Sequence, residues 1–156
     1  MSDAADRSVV VSRFQPSDFE RWLPLWRSYQ AFYHAEIPAE TTAITWRRMM
    51  DPAEPMWGAL AHVGDTPAGM VHWIFHRSNW TIGDYCYLQD LFVDPGVRRG
   101  GVGRALIEHV YEEARRAASP RVYWLTHESN AEARRLYDRV ADRSGFIQYR
   151  KVLPGR

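Results

Sequence analysis

The chain lacks the features that mark disulfide-rich, membrane-spanning and strongly charged proteins. Its 156 residues include a single cysteine, Cys86, which excludes an internal disulfide framework. No apolar run approaches the roughly 18 residues that a membrane span requires, and the N-terminal residues 1–6 carry no apolar signal region. We therefore expect a cytoplasmic protein.

An excess of charge of one sign is also missing. The 20 basic and 19 acidic side chains leave a formal net charge of +1. No global field therefore favours nucleic acid or a membrane as a partner. The length and the 46% share of hydrophobic residues predict a single globular domain over residues 1–156, with residues 1–7 as a flexible tail.

Hydrophobic periodicity predicts the element order β-αα-β-β-β-α-β-α-β. The predicted strands cover residues 8–14, 56–63, 68–76, 84–93, 121–126 and 146–153. The predicted helices cover residues 16–34, 41–50 and 102–117, and a fourth begins at a Ser129–Glu132 capping box and ends at Gly145. Helices between strands indicate an α/β protein.

A glycine-rich loop joins the fourth predicted strand to the next helix. It contains Arg98, Arg99, Gly100, Gly101, Val102 and Gly103, followed by Arg104. Glycines let an anion approach the backbone amides of a helix N-terminus, where the helix dipole adds positive charge. The three arginines would neutralise phosphates there. The loop thus predicts a pyrophosphate site, and the alternative is a glycine turn with only a structural role.

Two familiar phosphate-binding motifs do not fit this loop. A Walker loop needs Gly-Lys-Ser/Thr where the chain has Gly103-Arg104-Ala105, and a dinucleotide fingerprint needs a third glycine where Leu106 stands. The residues instead follow the pattern Arg/Gln-x-x-Gly-x-Gly/Ala.

With its neighbouring segments, the loop resembles the GCN5-related N-acetyltransferase superfamily. The resembling segments are residues 87–95, 98–103 and 130–137, with Gly145-Phe146 after them. Residues 122–130 are most similar to the subgroup that acetylates diamines, free amino acids or histone tails. The resemblance implies an α/β fold with a mixed, mostly antiparallel sheet, flanked by helices and splayed into a V-shaped slot near Val93. It also implies acetyl-CoA as co-substrate.

The resemblance assigns roles around that slot. The backbone of Leu91, Phe92 and Val93 would run beside the pantetheine arm of acetyl-CoA, and residues 98–104 would hold the pyrophosphate. Asn130 would contact the arm, and the Tyr137 hydroxyl would donate a proton or hydrogen bond to the leaving sulfur. These two residues are seven apart and share one helix face. On sequence alone, Asn130 also fits first-turn helix chemistry, and Tyr137 fits a core aromatic.

The implied reaction is direct attack of a primary amine on the acetyl thioester in a ternary complex. A cationic amine must first lose a proton to a base. Diamine-acetylating relatives often carry glutamate where this chain has Gln89, and an amide is no base. Asp90 and Glu128 are both candidates, and the choice stays open. On a regular strand Asp90 shares a face with Cys86, Leu88 and Phe92, so we expect a buried partner or a perturbed pKa.

The resemblance implies that the acceptor, a small-molecule or protein-tail amine, is recognised by the first two helices and their connection, with Tyr85 and Tyr87 on an opposite wall. The candidate residues are Trp26, Tyr29, Tyr33, Glu36, Tyr85, Tyr87 and Gln89. On sequence alone, the aromatic stripe of the first helix also fits a helix-to-sheet core.

The main alternative to this enzyme is a non-catalytic CoA-sensing or partner-binding module of the same fold. A Cys86 nucleophile lacks a recognisable triad, the histidines lack metal-site spacing, and one Arg-Arg-Gly-Gly cluster is a weak RNA signal.

The C-terminal segment bears on assembly. Residues 146–153 leave room for one strand where the family often has two. We therefore predict a homodimer in which a partner chain completes or covers that edge.

Overall fold

A computed structural model describes residues 8–97 and 100–155 of the chain. Five strands and four α-helices follow one another in it. In chain order they are β1 (Val9–Arg13), α1 (Phe19–Phe32), α2 (Ala39–Met50), β2 (Met56–Val63), β3 (Thr66–His76), β4 (Tyr85–Val93), α3 (Val102–Arg116), β5 (Val122–Tyr123) and α4 (Ala131–Val140). A short 3-10 turn, Pro16–Asp18, precedes α1.

The strands form a single sheet in the order β1-β2-β3-β4-β5. The first four strands pair antiparallel, and β5 pairs parallel with β4. This arrangement confirms the predicted α/β fold with a mixed, mostly antiparallel sheet. The β2-β3 hairpin turns at Gly64, whose positive φ of +60° suits glycine.

Helices cover both faces of the sheet. On one face α1 and α2 contribute Trp22, Leu25, Trp26 and Met49 to a core completed by strand residues such as Leu60 and Met70. Helix α3 packs against the same strands and buries Leu106, Ile107 and Val110. A half-exposed arginine on β1, Arg13, donates to the buried Glu113 on α3 at 2.9 Å from Nε. This ion pair ties the first strand to the helix after the glycine loop.

The contacts divide the chain into two compact units, one ending at Leu125 and one beginning at Thr126. The first holds the whole sheet and α1 to α3, and the second holds α4 and the C-terminal segment. The prediction of one domain over residues 1–156 stays a prediction, and the predicted tail at residues 1–7 lies outside the described residues. None of the helices described is long and apolar enough to cross a membrane.

The predictions for the second unit need three corrections. Residues 146–153 form no strand within the part of the chain that is described. Helix α4 begins after Asn130, so the third helical position is Ala133, and the Ser129–Glu132 capping box is wrong. The helix ends at Val140 with an extended residue after it, so Gly145 is not its cap, although its φ is +86°.

The fifth strand is also shorter than predicted, with two residues in place of six. In both cases the apolar alternation indicates strand propensity, but a strand forms only where a neighbour offers a backbone to pair with. Periodicity does not reveal that neighbour.

Candidate active site

Strand β4 is irregular at its centre. Its register with β3 pairs His72 with Asp90 and Trp73 with Leu88, so Gln89 is an extra residue without an opposite partner. Such a β-bulge reverses the alternation of side chains along the strand. Directly paired residues share a face, so Asp90 lies on the face of His72.

The predicted face of Asp90 is therefore wrong. Regular alternation places it with Cys86 and Leu88, but the bulge turns it toward α1 and α2, on the side of Tyr87. The expectation of a buried partner is confirmed. The Asp90 carboxylate lies 2.9 Å from Nδ1 of His72, whose side chain is only 5% exposed. On its other side, His72 receives a 2.9 Å hydrogen bond from the indole of Trp22.

Two tyrosines lie beside the same carboxylate. Burial, and then the charge of Asp90, raises the pKa of Tyr29 well above its usual value. The same two causes raise the pKa of Tyr87. Both hydroxyls therefore stay protonated at neutral pH. We refer to Trp22, Tyr29, His72 and Asp90 as the Asp90 cluster.

A cavity of about 250 Å³ opens beside this cluster. Its lining is mainly aromatic and aliphatic, with Asp90 as the one carboxylate among the described residues that line it. The lining residues are Trp26, Ile37, Thr41, Thr45, Met49, Met56, Trp57, His72, Trp73, Ile74, Gln89 and Asp90. An apolar pocket with one charged group suits a small ligand that carries an amine.

The residues predicted to bind the acceptor divide into two groups. Trp26 and Gln89 line the cavity, while Tyr29 and Tyr87 stand next to Asp90. The remaining three are not among the residues that line the cavity. The Tyr33 ring packs 5.1 Å from that of Tyr29, Tyr85 lies under the Arg121 guanidinium at 4.5 Å, and Glu36 is exposed.

Sequence reasoning missed the part that His72 and Trp22 take in this site. The sequence singles out Trp26 on the first helix and not Trp22, and the histidines show no metal-site spacing. The only sequence signal for the contact between His72 and Asp90 is the predicted turn that brings β3 beside β4. The bulge that aligns His72 with Asp90 has no signal of its own.

On its other edge, β4 separates from β5. The two strands pair only at Cys86 with Val122 and at Tyr87 with Tyr123. From Leu88 to Val93 no residue of the described chain pairs with this edge, whereas the β3 side stays paired to Val93. The separation is the predicted V-shaped splay, and it exposes backbone groups of Leu91 to Val93 to which an extended ligand can add as a strand does.

The glycine loop ends at the N-terminus of α3. Gly101 precedes the helix with a φ of +103°, and a Cβ atom at Gly100 or Gly101 would meet no described atom within 4 Å. The first-turn amides of Val102, Gly103 and Arg104 have no acceptor within the helix. No side chain of the described residues caps the helix in their place. Open space and uncapped amides fit a pyrophosphate.

The arginines of the loop contribute less to the described structure. Arg104 pairs with Glu108 at 2.9 Å on the exposed side of α3. Arg98 and Arg99 lie outside the described residues, and their predicted role in neutralising phosphates stays a prediction.

The remaining predicted residues belong to the second unit. Asn130 precedes α4 and its amide donates to Thr126 Oγ1 at 3.3 Å. Tyr137 is half-buried, seven residues along the same helix. Glu128 is exposed, and its backbone carbonyl accepts a 2.6 Å hydrogen bond from Arg134.

Two other types of chemistry find little support. Cys86 is buried, and burial raises the pKa of its thiol to about 12, which disfavours the nucleophilic thiolate. Across residues 8–97 and 100–155, no group of three or more His, Cys, Asp or Glu side chains is arranged to hold a metal ion.

Comparison with known proteins agrees with this geometry. The chain is 37% identical to the D-amino-acid N-acetyltransferase HPA3 of Saccharomyces cerevisiae, over 92% of this chain and 90% of that protein. The crystal structure of a probable acetyltransferase superposes with a TM-score of 0.83 at 19% identity, over 94% of this chain and 99% of that one. The aminoglycoside N-acetyltransferase AAC(6')-Iy in complex with CoA superposes with a TM-score of 0.72 at 16% identity, over 96% and 94% of the two chains.

The structural likenesses show the fold. The family is shown by a sequence model that is described as the acetyltransferase (GNAT) family and matches residues 19–141. The bulged and splayed β4, the glycine loop at α3 and the homology with HPA3 lead to one conclusion: the chain belongs to the GNAT acetyltransferase family and is an enzyme that transfers an acetyl group to an amine.

Proposed function

We propose that the protein acetylates a primary amine with acetyl-CoA as donor, by direct attack within a ternary complex. The observation that carries this proposal is the position of Asp90, which stands on a bulge between an apolar cavity and the splayed edge of β4. The amine would enter from the cavity and the donor from the splay.

On the donor side, the backbone of Leu91, Phe92 and Val93 binds the pantetheine arm and the amides at the start of α3 bind the pyrophosphate. Acetyl-CoA supplies the activated acetyl group. The solved complex of AAC(6')-Iy with CoA supports this choice of donor within the same fold. The uncapped amides after Gly101 supply anion binding through the backbone alone.

On the acceptor side, Asp90 removes the proton that a cationic amine must lose before it attacks. Its carboxylate lines the cavity, and the nearby Tyr29 and Tyr87 hydroxyls, held neutral by burial, leave it as the negative charge of the cluster. Glu128 remains the alternative base, although it is exposed. By resemblance, Tyr137 donates to the leaving sulfur and Asn130 contacts the cofactor arm.

The acceptor is a small-molecule or protein-tail amine. The cavity of about 250 Å³, with tryptophan walls, favours a small molecule. HPA3 is by its name an enzyme of D-amino acids, so amino acids head the list of acceptors to test.

We also propose that the protein is a homodimer and that it is located in the cytoplasm. Phe146, Ile147, Tyr149, Val152 and Leu153 are each more than 70% exposed, and a partner chain that covers them would remove this apolar surface from water. The location rests on the single, buried and free Cys86, which suits a reducing compartment.

The test is an acetylation assay over a panel of amines, including D- and L-amino acids, diamines and histone-tail peptides. Release of CoA thiol that requires both acetyl-CoA and an amine is expected. Saturable binding of acetyl-CoA without thiol release for any amine would instead support a CoA-sensing module. Sedimentation at micromolar concentration tests the dimer, and a strictly monomeric protein would contradict it.

A further inference from the structure

The donor and acceptor atoms around His72 determine which ring nitrogen carries its proton. An indole N–H is a donor only, and Trp22 Nε1 lies 2.9 Å from His72 Nε2. His72 Nε2 must therefore accept and hold no proton. The proton of the neutral ring is on Nδ1, which donates to the Asp90 carboxylate 2.9 Å away.

From this geometry we infer that His72 positions Asp90 for proton abstraction, and that Trp22 selects the His72 tautomer that does so. The inference rests on the proposed function, in which Asp90 is the base. No contact between His72 and the reacting atoms is implied: both His72 and Trp22 act through Asp90.

Packing holds the two donors in place. Trp22 is fully buried and His72 is 4% exposed. The His72 ring lies within 6 Å of the rings of Phe14 and Trp26, at 5.7 and 5.3 Å between centroids. Trp26 in turn stacks on Trp22 and donates to Thr42 Oγ1 at 3.1 Å. Helix α1 therefore fixes the orientation of the His72 ring. Rotation of the ring would break its hydrogen bonds to Trp22 and Asp90.

The charge of His72 matters for the base. A neutral histidine orients the carboxylate and leaves its negative charge available for a substrate proton. A protonated histidine would form an ion pair with Asp90 and make it a weaker base. A proton added at Nε2 would also point at the hydrogen on Trp22 Nε1. Trp22 therefore disfavours the protonated form of His72.

Among the described residues, the titratable groups outside the cluster that act on Tyr29 are two tyrosines. Tyr33 directly follows α1, and Tyr87 lies on β4. The residues of α2 that line the cavity are Thr41, Thr45 and Met49, which carry no charge. The bulge makes this arrangement possible, because without the extra Gln89 the Asp90 side chain would point to the opposite face.

The direct test needs no mutation. Nitrogen-15 NMR of the full-length protein with labelled histidine distinguishes the two neutral tautomers and the imidazolium. We expect His72 to be neutral and protonated at Nδ1 throughout the pH range in which the enzyme is active. An Nε2-protonated ring, or an imidazolium in that range, would overturn the inference whatever the activity.

The kinetic test compares two substitutions of His72. His72→Leu cannot donate to Asp90, and a misplaced base is expected to lower kcat by up to about 100-fold while the KM for acetyl-CoA is unchanged. His72→Asn keeps an N–H close to the position of Nδ1 and is expected to recover much of that loss. Equal kcat values for His72→Leu and the parent, in a folded variant, would contradict the positioning role.

Trp22 is tested by Trp22→Phe, which keeps a buried ring and removes the donor. Once Nε2 is free to take a proton, kcat/KM is expected to fall at low pH through an additional ionisation that the parent lacks. The double variant Trp22→Phe/His72→Asn has no ring nitrogen to titrate and should lose this extra ionisation. Its persistence in the double variant would show that it does not arise at His72.

The proposed function has a separate failure. If Asp90→Asn keeps full turnover, Asp90 is not the base and the kinetic argument falls with it, even if NMR shows the Nδ1 tautomer. If Asp90→Asn abolishes turnover and His72→Leu has no effect, only the positioning role is wrong.

Discussion

The proposed donor and acceptor sides of β4 are built in different ways. On the donor side, the groups proposed to bind acetyl-CoA are backbone amides from a few consecutive residues at Gly100 to Arg104 and from one strand edge. On the acceptor side, the Asp90 cluster is made of side chains from α1, β3 and β4, which are up to 68 positions apart between Trp22 and Asp90. A site made of neighbours in sequence leaves a motif, and a site assembled by packing leaves none.

The difference also concerns solvent. Trp22 and His72 are buried, and Asp90 is 17% exposed, whereas a Cβ atom at Gly100 or Gly101 would meet no described atom within 4 Å. Buried polar groups need fixed partners, and in the Asp90 cluster these partners position the proposed base. Substitutions in the cluster should therefore lower kcat. Substitutions in the loop should affect donor binding.

The largest expected effect is at the acceptor side. Asp90→Asn removes the proposed base, and kcat should fall by about 10²- to 10⁴-fold, with acetyl-CoA binding unchanged, as measured by thiol release and by calorimetry. Glu128→Gln is the matched comparison, since it makes the same change at the exposed alternative. A large loss with Glu128→Gln and none with Asp90→Asn would transfer the role to Glu128.

Tyr137→Phe should come next. Loss of the hydroxyl that is assigned to the leaving sulfur should lower kcat by about 100-fold, and acetyl-CoA affinity should change little. Steady-state kinetics together with a binding isotherm separate these two quantities. Unchanged turnover would refute the assigned role.

At the donor side, Gly101→Ala should weaken acetyl-CoA binding while kcat is kept. A φ of +103° is unfavourable for alanine by about 1–3 kcal/mol, so we expect the loop backbone to shift. Steady-state kinetics should then show a rise in the KM for acetyl-CoA of about tenfold, which corresponds to about 1.4 kcal/mol.

Gly64→Ala is the control for this prediction. Its φ of +60° is also positive and a Cβ atom there would meet no described atom within 4 Å, but it lies in the β2-β3 turn. Both variants should lose thermal stability, and only Gly101→Ala should raise the KM for acetyl-CoA. An equal rise in both variants would contradict a local role for the loop.

The smallest effect on turnover is expected at Cys86, on the face of β4 opposite Asp90. Cys86→Ala should retain kcat, because a thiol whose pKa is raised from 9.0 to about 12 by burial is not a nucleophile at neutral pH. A large loss of kcat in the folded variant would revive the thiol mechanism.

The same substitution has a pH signature in stability. The folded-state pKa of Cys86 lies above the unfolded value, so its contribution is present in full below pH 9 and is lost as the pH rises toward 12. In that window the free energy of unfolding should fall by about 1.4 kcal/mol per pH unit through this group. Cys86→Ala should remove this part of the alkaline slope in denaturant titrations.

The sequence alone determined the fold class, the glycine loop and the family. These depend on local information: the period of apolar residues, the turn glycines, and a motif whose amides are consecutive. The same local information failed at residues 146–153 and at the Ser129–Glu132 capping box, where the outcome depends on a pairing partner or on the exact helix start.

Only the tertiary structure decided the surroundings of Asp90. A single extra residue, Gln89, reverses the side-chain alternation of β4 and moves Asp90 from the face of Cys86 to that of His72. A bulge is a property of two paired strands, and no pattern within one strand reveals it. The tautomer of His72 depends in turn on Trp22, which reaches it only because α1 packs across the sheet.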